Sequence, residues 1–243
     1  MTNYVMLNNV DHKDVKIITE RSGEYGDDVM YAMTFPIEFR NVQSRYPIFF
    51  HKDAETGQFI PVALFGFQDK ENLFLTDEGW DETYIPMMIE RNPFLIGFQE
   101  NRETGGEKRR VASIDMDSPR VNETEGEAVF LELGGNTDYL ERVSGILEAI
   151  HYGHEASKGF IARLLELELI ESFTLEIELK DGSKNKLVGF YTINEDKLQQ
   201  LDGDALGKLN SEGHLMPIFM MLASHSQMRT LVERKNALLS QPE

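Results

Sequence analysis

The chain contains no cysteine. Disulfides, thiolate nucleophiles and cysteine-ligated zinc or iron–sulfur centres are therefore excluded. Positive charge is scarce too: 24 lysines and arginines face 42 acids, a formal charge of -18 over 243 residues. A surface that negative repels phosphate backbones and anionic lipid headgroups. The only basic run, Glu107-Lys108-Arg109-Arg110, is short, so nucleic acid is not an expected partner. Long apolar runs are missing as well. The most apolar, Leu215 to Ala223, falls well short of the roughly 20 residues that span a bilayer and reads as a buried helix. No membrane span is expected. The first residues, MTNYVMLNNVDHKD, carry acids where a signal peptide would have a basic and then an apolar region. The expected location is cytoplasmic.

Catalytic signatures are absent in the same way. There is no Gly-x-Ser-x-Gly elbow and no Ser-x-x-Lys pair. Gly105-Gly106-Glu107-Lys108 lacks the spacing of a phosphate-binding loop, and no Gly-x-Gly-x-x-Gly follows a strand. No catalytic residue and no cofactor is assigned, and the pattern favours a non-enzymatic role.

What is present is enough apolar material, 41% of the chain, to build a substantial core. The expected fold class is α+β: an antiparallel-sheet N-terminal lobe and a helical C-terminal lobe containing a β-hairpin. Residues 1–243 read as one domain with sub-lobes at about 1–116, mainly β, and 134–243, helices plus hairpin, joined by an acidic loop over 117–133.

In the first lobe, Val15–Thr19, Tyr31–Phe35, Ile48–Phe50, Phe59–Phe67 and Asn72–Leu75 read as strands joined by polar turns. Pro47 is tolerated at a strand's first residue. Val62-Ala63-Leu64-Phe65 is apolar on both faces, as in a covered strand. Residues 37–45 fit a short helix, although Phe35, Ile37 and Phe39 also alternate as a strand would. Glu82–Glu90 fits a helix with Pro86 in its first turn, stopped by Asn92-Pro93. Phe94–Phe98 and Val111–Ile114 pair as strands around a charged, Gly-Gly-containing loop.

In the second lobe, Asn136 or Thr137 caps a helix whose apolar stripe is Tyr139, Leu140, Val143, Ile146, Leu147 and Ile150. Gly153 is expected to break it. A second helix then turns Phe160, Ile161, Leu164 and Leu165 inward. Phe173, Leu175, Ile177 and Leu179 alternate with polar residues, and Asp181-Gly182 turns that strand onto a partner over Leu187–Ile193. Asn194 caps a short helix. The final helix is expected from near Gly213, its first half buried all round and its second half emerging into solvent.

The stretch Tyr46–Phe98 holds the single tryptophan and half of the eight prolines. Tyr46-Pro47 with Phe49-Phe50, Leu64-Phe65-Gly66, Glu71-Asn72-Leu73-Phe74, Gly79-Trp80, Tyr84-Ile85-Pro86 and Arg91-Asn92-Pro93-Phe94 lie in it. Further on come Ile114-Asp115, Gly189 to Glu195, and Leu222-Ala223-Ser224. In these residues, spread over nearly the whole chain, the sequence resembles the SapC family of bacterial proteins. The resemblance implies little chemistry. The family is named after a surface-layer gene cluster. Its members resemble accessory proteins encoded beside TonB-dependent receptors, flavin-dependent halogenase-like proteins and JmjC-like oxygenases, and no catalytic residues are established for it.

Metal chemistry has one motif to weigh. His12-Lys13-Asp14 and His51-Lys52-Asp53 repeat a His-x-Asp triplet that mononuclear iron oxygenases use with a distant histidine, which His151 or His154 could supply. Against it, a three-residue motif recurs by chance in so acidic a chain, and His51 leads into a turn. His151 and His154 suit a helix C-terminus, where histidine interacts with exposed carbonyls. Asn72, Trp80, Tyr84 and Arg91 combine large amphipathic rings with a planar cation, types enriched at binding hot spots. The bland alternative is that Trp80 plugs the sheet edge and Arg91 pairs with a nearby acid. Met216, Met220, Met221 and Met228 similarly fit a partner groove or plain core filling. The leading expectation is an accessory or adaptor protein binding a protein or peptide partner. A metal-dependent oxygenase and a surface-layer or envelope component are the alternatives.

Overall fold

The computed structural model describes residues 3–100 and 108–240. It begins with strands β1 (Tyr4–Met6), β2 (Lys16–Ile17) and β3 (Tyr31–Met33), then the one-turn helix α1 (Phe39–Val42). Strands β4 (Ile48–Lys52) and β5 (Phe59–Leu64) form a hairpin, and β6 (Leu75–Thr76) and β7 (Gly79–Trp80) a smaller one. After the single turn α2 (Met87–Glu90), β8 (Phe94–Glu100) pairs with β9 (Lys108–Asp115). Short strands β10 (Val121–Asn122) and β11 (Glu127–Ala128) lead into the long helix α3 (Asp138–Glu166). The hairpin β12 (Ile170–Glu178) and β13 (Lys184–Ile193) follows, then α4 (Glu195–Gln199), α5 (Gly203–Ser211), α6 (Leu215–Ser224) and α7 (Met228–Leu239). Helices and antiparallel strands, with no closed barrel among the described residues, make this an α+β protein. The chain gathers into two compact units, Met1–Asp27 with Met87–Tyr152, and Asp28–Pro86 with Gly153–Glu243.

In the first unit, β1, β9 and β8 form one antiparallel sheet and β10, β2 and β11 another. Their apolar faces meet the stripe on the first half of α3, so that Ile17, Phe94, Ile114, Val129, Leu140 and Val143 share one core. Thr137 starts α3, its Oγ1 accepting from the Leu140 N–H at 3.2 Å. Residues 117–133, expected as a joint between lobes, lie in this unit and supply the two strands that flank β2. Arg120 ties the segment to the 18–20 backbone: it is 1% exposed and donates from Nη1 to the Ile18 and Glu20 carbonyls at 2.9 and 2.8 Å. Its Nη2 meets Asp27 Oδ2 at 2.5 Å, and Arg21 Nη1 approaches the other Asp27 oxygen at 3.5 Å. The charged loop expected between β8 and β9 falls at 101–107, outside the described residues.

In the second unit a five-stranded antiparallel sheet runs in the order β12-β13-β4-β5-β3. Val62, Ala63, Leu64 and Phe65 are wholly buried, as their continuous apolar character requires. The β12–β13 hairpin turns where Asp181-Gly182 placed it. Gly182 takes φ 83°, a region that favours glycine, and the Asp181 carboxylate accepts the Ser183 N–H at 2.9 Å. Strand β13 continues onto β4, with Phe190 opposite His51 and Tyr191 opposite Phe50. Asn194 caps α4 by accepting the Lys197 N–H at 2.8 Å.

Several local expectations are corrected. Gly153 does not end a helix: α3 runs through it for 29 residues. A Cβ there would lie 2.7 Å from Phe35 Cγ, so the glycine lets the helix approach that ring closely. The segment 82–90 is helical only from Met87. Residues 72–74 turn rather than extend, and the strand there is β6. The final helix is two, α6 and α7, with a 3-10 turn at His225–Gln227 between them. Helix α6 buries Ile218, Met220 and Met221 but leaves Met216 and Phe219 at 58% and 52% exposed, so its apolar character all round is not matched by burial all round.

Candidate functional site

Asn72, Trp80 and Tyr84 lie in the second unit, where a chain of hydrogen bonds ties two of them to the core. The turn after β5 is closed by Asn72, whose Oδ1 accepts the Phe74 N–H at 3.0 Å. Trp80 ends β7 and stands edge-on to Phe65, with ring centroids 5.3 Å apart. Its indole N–H donates to the Tyr46 hydroxyl at 2.8 Å, and that hydroxyl donates to the Tyr84 carbonyl at 2.5 Å. The Tyr84 hydroxyl donates to Glu38 Oε1 at 2.8 Å, while Glu38 Oε2 accepts from the Thr34 hydroxyl at 2.7 Å. Burial pushes the Tyr46 pKa far above its ordinary value, with the Trp80 hydrogen bond acting in the opposite sense. Tyr46 therefore keeps its proton and its place in the chain. Arg234 of α7 covers the Phe74 ring at 4.6 Å and pairs with Asp81 at 2.8 Å and Glu82 at 3.2 Å. Trp80 and Tyr84 are half-buried.

Arg91 belongs to the first unit. Its backbone N–H closes the turn of α2 on the Met87 carbonyl at 3.0 Å, and its Nη1 donates to the Phe94 carbonyl at 2.5 Å. Arg91 lines a polar cavity of about 270 Å³ with Tyr4, Tyr25, Asn92, Asp115 and Ser118. Burial draws its pKa below the usual arginine value, with the nearby Tyr4 acting the other way. The acid partner that composition led one to expect is not there. Among the described residues Arg91 forms no ion pair.

The four candidate metal ligands are dispersed into local roles. His51, on β4, stacks on Tyr31 at 5.1 Å and meets Phe190 edge-on at 5.8 Å. Asp53 closes its own turn: Oδ1 accepts the Thr56 hydroxyl and N–H, both at 2.6 Å, and the Glu55 N–H at 3.1 Å. These bonds, the Thr56 hydroxyl foremost, hold its pKa below the usual carboxylate range. His151 and His154 sit in the middle of α3 and not at its C-terminus. Among the described residues no group of three or more histidines and acids is placed to hold a metal ion.

An apolar groove of about 360 Å³ in the second unit was not foreseen. The C-terminal half of α3 presents Ser157, Ile161 and Leu165 to Phe35, Phe59 and Pro61 across it, with His154 and Lys158 also lining it. Leu165, expected to point inward, is 48% exposed. The sequence did carry a signal: the apolar arc of Phe160, Ile161, Ala162, Leu164 and Leu165 is wider than the strip that Phe160 and Leu164 bury completely. Two of the groove's polar groups are engaged within the helix. The Ser157 hydroxyl donates to the Gly153 carbonyl at 2.8 Å, and Lys158 pairs with Glu155 at 2.7 Å.

No described helix is long and apolar enough to cross a membrane. No curated protein and no solved structure matches the chain. The SapC family model does, over residues 7–231, a span that includes both units' candidate residues and the groove. By that match the chain belongs to the SapC family.

Proposed function

We propose that this is a non-enzymatic accessory protein of the cytoplasm that binds a protein or peptide partner, and that the groove of the second unit receives it. The observation that carries the reading is the groove: open, of ligand-binding size, and walled by Phe35, Phe59, Pro61, Ile161 and Leu165. Because Ser157 and Lys158 already bond within α3, Gln58 and His154 are the polar side chains of the lining left to orient a polar metabolite. Burial of large apolar side chains is what such walls offer, as when an amphipathic peptide lays its apolar face in a groove. Asn72, Trp80 and Tyr84 act in this reading as the scaffold of the same unit, their bonds fixing the loop that carries them.

The test is a photo-crosslinking residue placed at Leu165 in the native host cell, with Val188, 58% exposed on β13, as control. A discrete protein adduct from position 165 that disappears with Ile161→Glu supports the proposal. No adduct, the same adducts from both positions, or an adduct with a small molecule overturns it. Recovery of the protein in the envelope fraction overturns the cytoplasmic placement.

A further inference from the structure

We infer that the polar cavity of the first unit binds a small carboxylate carrying a hydrogen-bond donor on the neighbouring carbon, that is, an α-amino or α-hydroxy acid. This site is separate from the groove and does not rest on it.

The argument starts from Arg91. Arg21, Arg120, Arg163 and Arg234 are the other half-buried or buried arginines among the described residues, and each has a carboxylate within 4.0 Å. Arg91 has none among the described residues. It spends one donor on the Phe94 carbonyl at 2.5 Å, leaving most of its planar fork without an acceptor among the described residues. None of its nitrogens is sealed in without a partner, so the remaining donors are open to the cavity or to solvent. A fork of this kind matches the two oxygens of a carboxylate.

The rest of the lining narrows the ligand. Asp115 borders the same cavity without pairing with Arg91, and its Oδ1 accepts the backbone N–H groups of Asn3 and Asp117 at 3.0 and 3.2 Å. Those bonds fix the carboxylate in place and leave its second oxygen available. A simple oxyanion would meet Arg91 favourably and Asp115 unfavourably. A ligand with a carboxylate at one end and an ammonium or hydroxyl beside it satisfies both. Tyr4, Tyr25 and Asn92 supply further polar edges, and the volume, about 270 Å³, suits a molecule of that size and excludes a folded partner.

The experiment is isothermal titration of the intact protein with L-alanine, L-leucine and L-lactate, against propionate and inorganic phosphate as probes lacking the neighbouring donor. At least one of the first three is expected to bind saturably, with propionate and phosphate about tenfold weaker or more. Arg91→Gln is expected to weaken binding about ten- to a hundredfold. Asp115→Asn, which keeps the acceptor for Asn3 and Asp117, is expected to weaken the amino acids more than lactate. No binding of any of the three acids overturns the inference, as does phosphate or propionate binding equally well. So does unchanged affinity in a folded Arg91→Gln protein. If that variant fails to fold, unchanged amino-acid affinity in Asp115→Asn overturns it.

Discussion

Replacing Asp27 by asparagine isolates the contribution of one buried charge. The Asp27 side chain has no exposed surface and that of Arg120 has 1%. Asp27→Asn preserves volume and an acceptor for the Ser22 N–H, now bonded at 3.0 Å. It removes the negative charge that faces Arg120 at 2.5 Å and Arg21 at 3.5 Å. Arg21 can still turn to Glu90, which it already reaches at 3.3 Å. Among the described residues Arg120 has no second acid within ion-pair range, and it is left as a charge away from water. Removing one partner of a buried pair costs about 3–5 kcal/mol. The lower end applies here, because the Ile18 and Glu20 carbonyls go on accepting from Arg120. At about 1.4 kcal/mol per factor of ten, about 3 kcal/mol corresponds to roughly a hundredfold increase in opening. Hydrogen exchange followed by mass spectrometry on peptides covering 16–28 and 118–123 measures it. A change below about threefold, or about 0.7 kcal/mol, refutes the claim that this ion pair holds β10 and the 18–27 segment together.

Two further outcomes follow from the second unit. On α3, Gly159→Ala meets open space and is expected to stabilise by up to about 1 kcal/mol, whereas Gly153→Ala drives a Cβ to 2.7 Å from Phe35 and is expected to destabilise by about 1–3 kcal/mol. Thermal unfolding should therefore shift in opposite directions for the same substitution six positions apart, and a rise for both contradicts the close-approach argument. His225 stacks on Phe49 at 4.9 Å and lies 6.3 Å from Phe173, and burial holds its pKa below the ordinary histidine value. Above about pH 6.5 the imidazole is neutral in both folded and unfolded chains, so its stabilisation is complete there. As pH falls from that point the unfolded chain takes the proton first, and stability declines until the folded pKa is passed. Urea midpoints between pH 7 and pH 5 should fall less in His225→Gln than in the parent; His214, lowered by burial in the same sense, leaves a remainder.

What the sequence disclosed was what is decided locally. The alternation through Phe173–Leu179 and the Asp181-Gly182 turn define a hairpin by themselves, because register and turn lie within a few residues. The stripe from Tyr139 to Ile150 and its Thr137 cap are of the same kind. Gly153 was misread because its purpose is Phe35, more than a hundred positions away; composition alone makes a glycine look like a helix end. Arg91 shows the limit more sharply. An abundance of acids made a partner for it seem assured, but ion pairing depends on which carboxylates the fold delivers, and Asp115 is delivered to the same cavity without reaching it. The Asp27–Arg120 pair, 93 positions apart, was invisible for the same reason. Trp80 and Tyr84 were recognised as unusual residues, but nothing short of the fold could link them through Tyr46.

Each compact unit is assembled from two separated stretches of chain, with the polypeptide passing from one to the other after Asp27, Pro86 and Tyr152. A gene shortened from either end therefore never encodes one complete unit alone. Isolating either would require splicing two exon-like pieces with a new linker, and the cut after Tyr152 would sever α3 in mid-run. Neither unit can therefore be removed or exchanged whole by a simple terminal deletion.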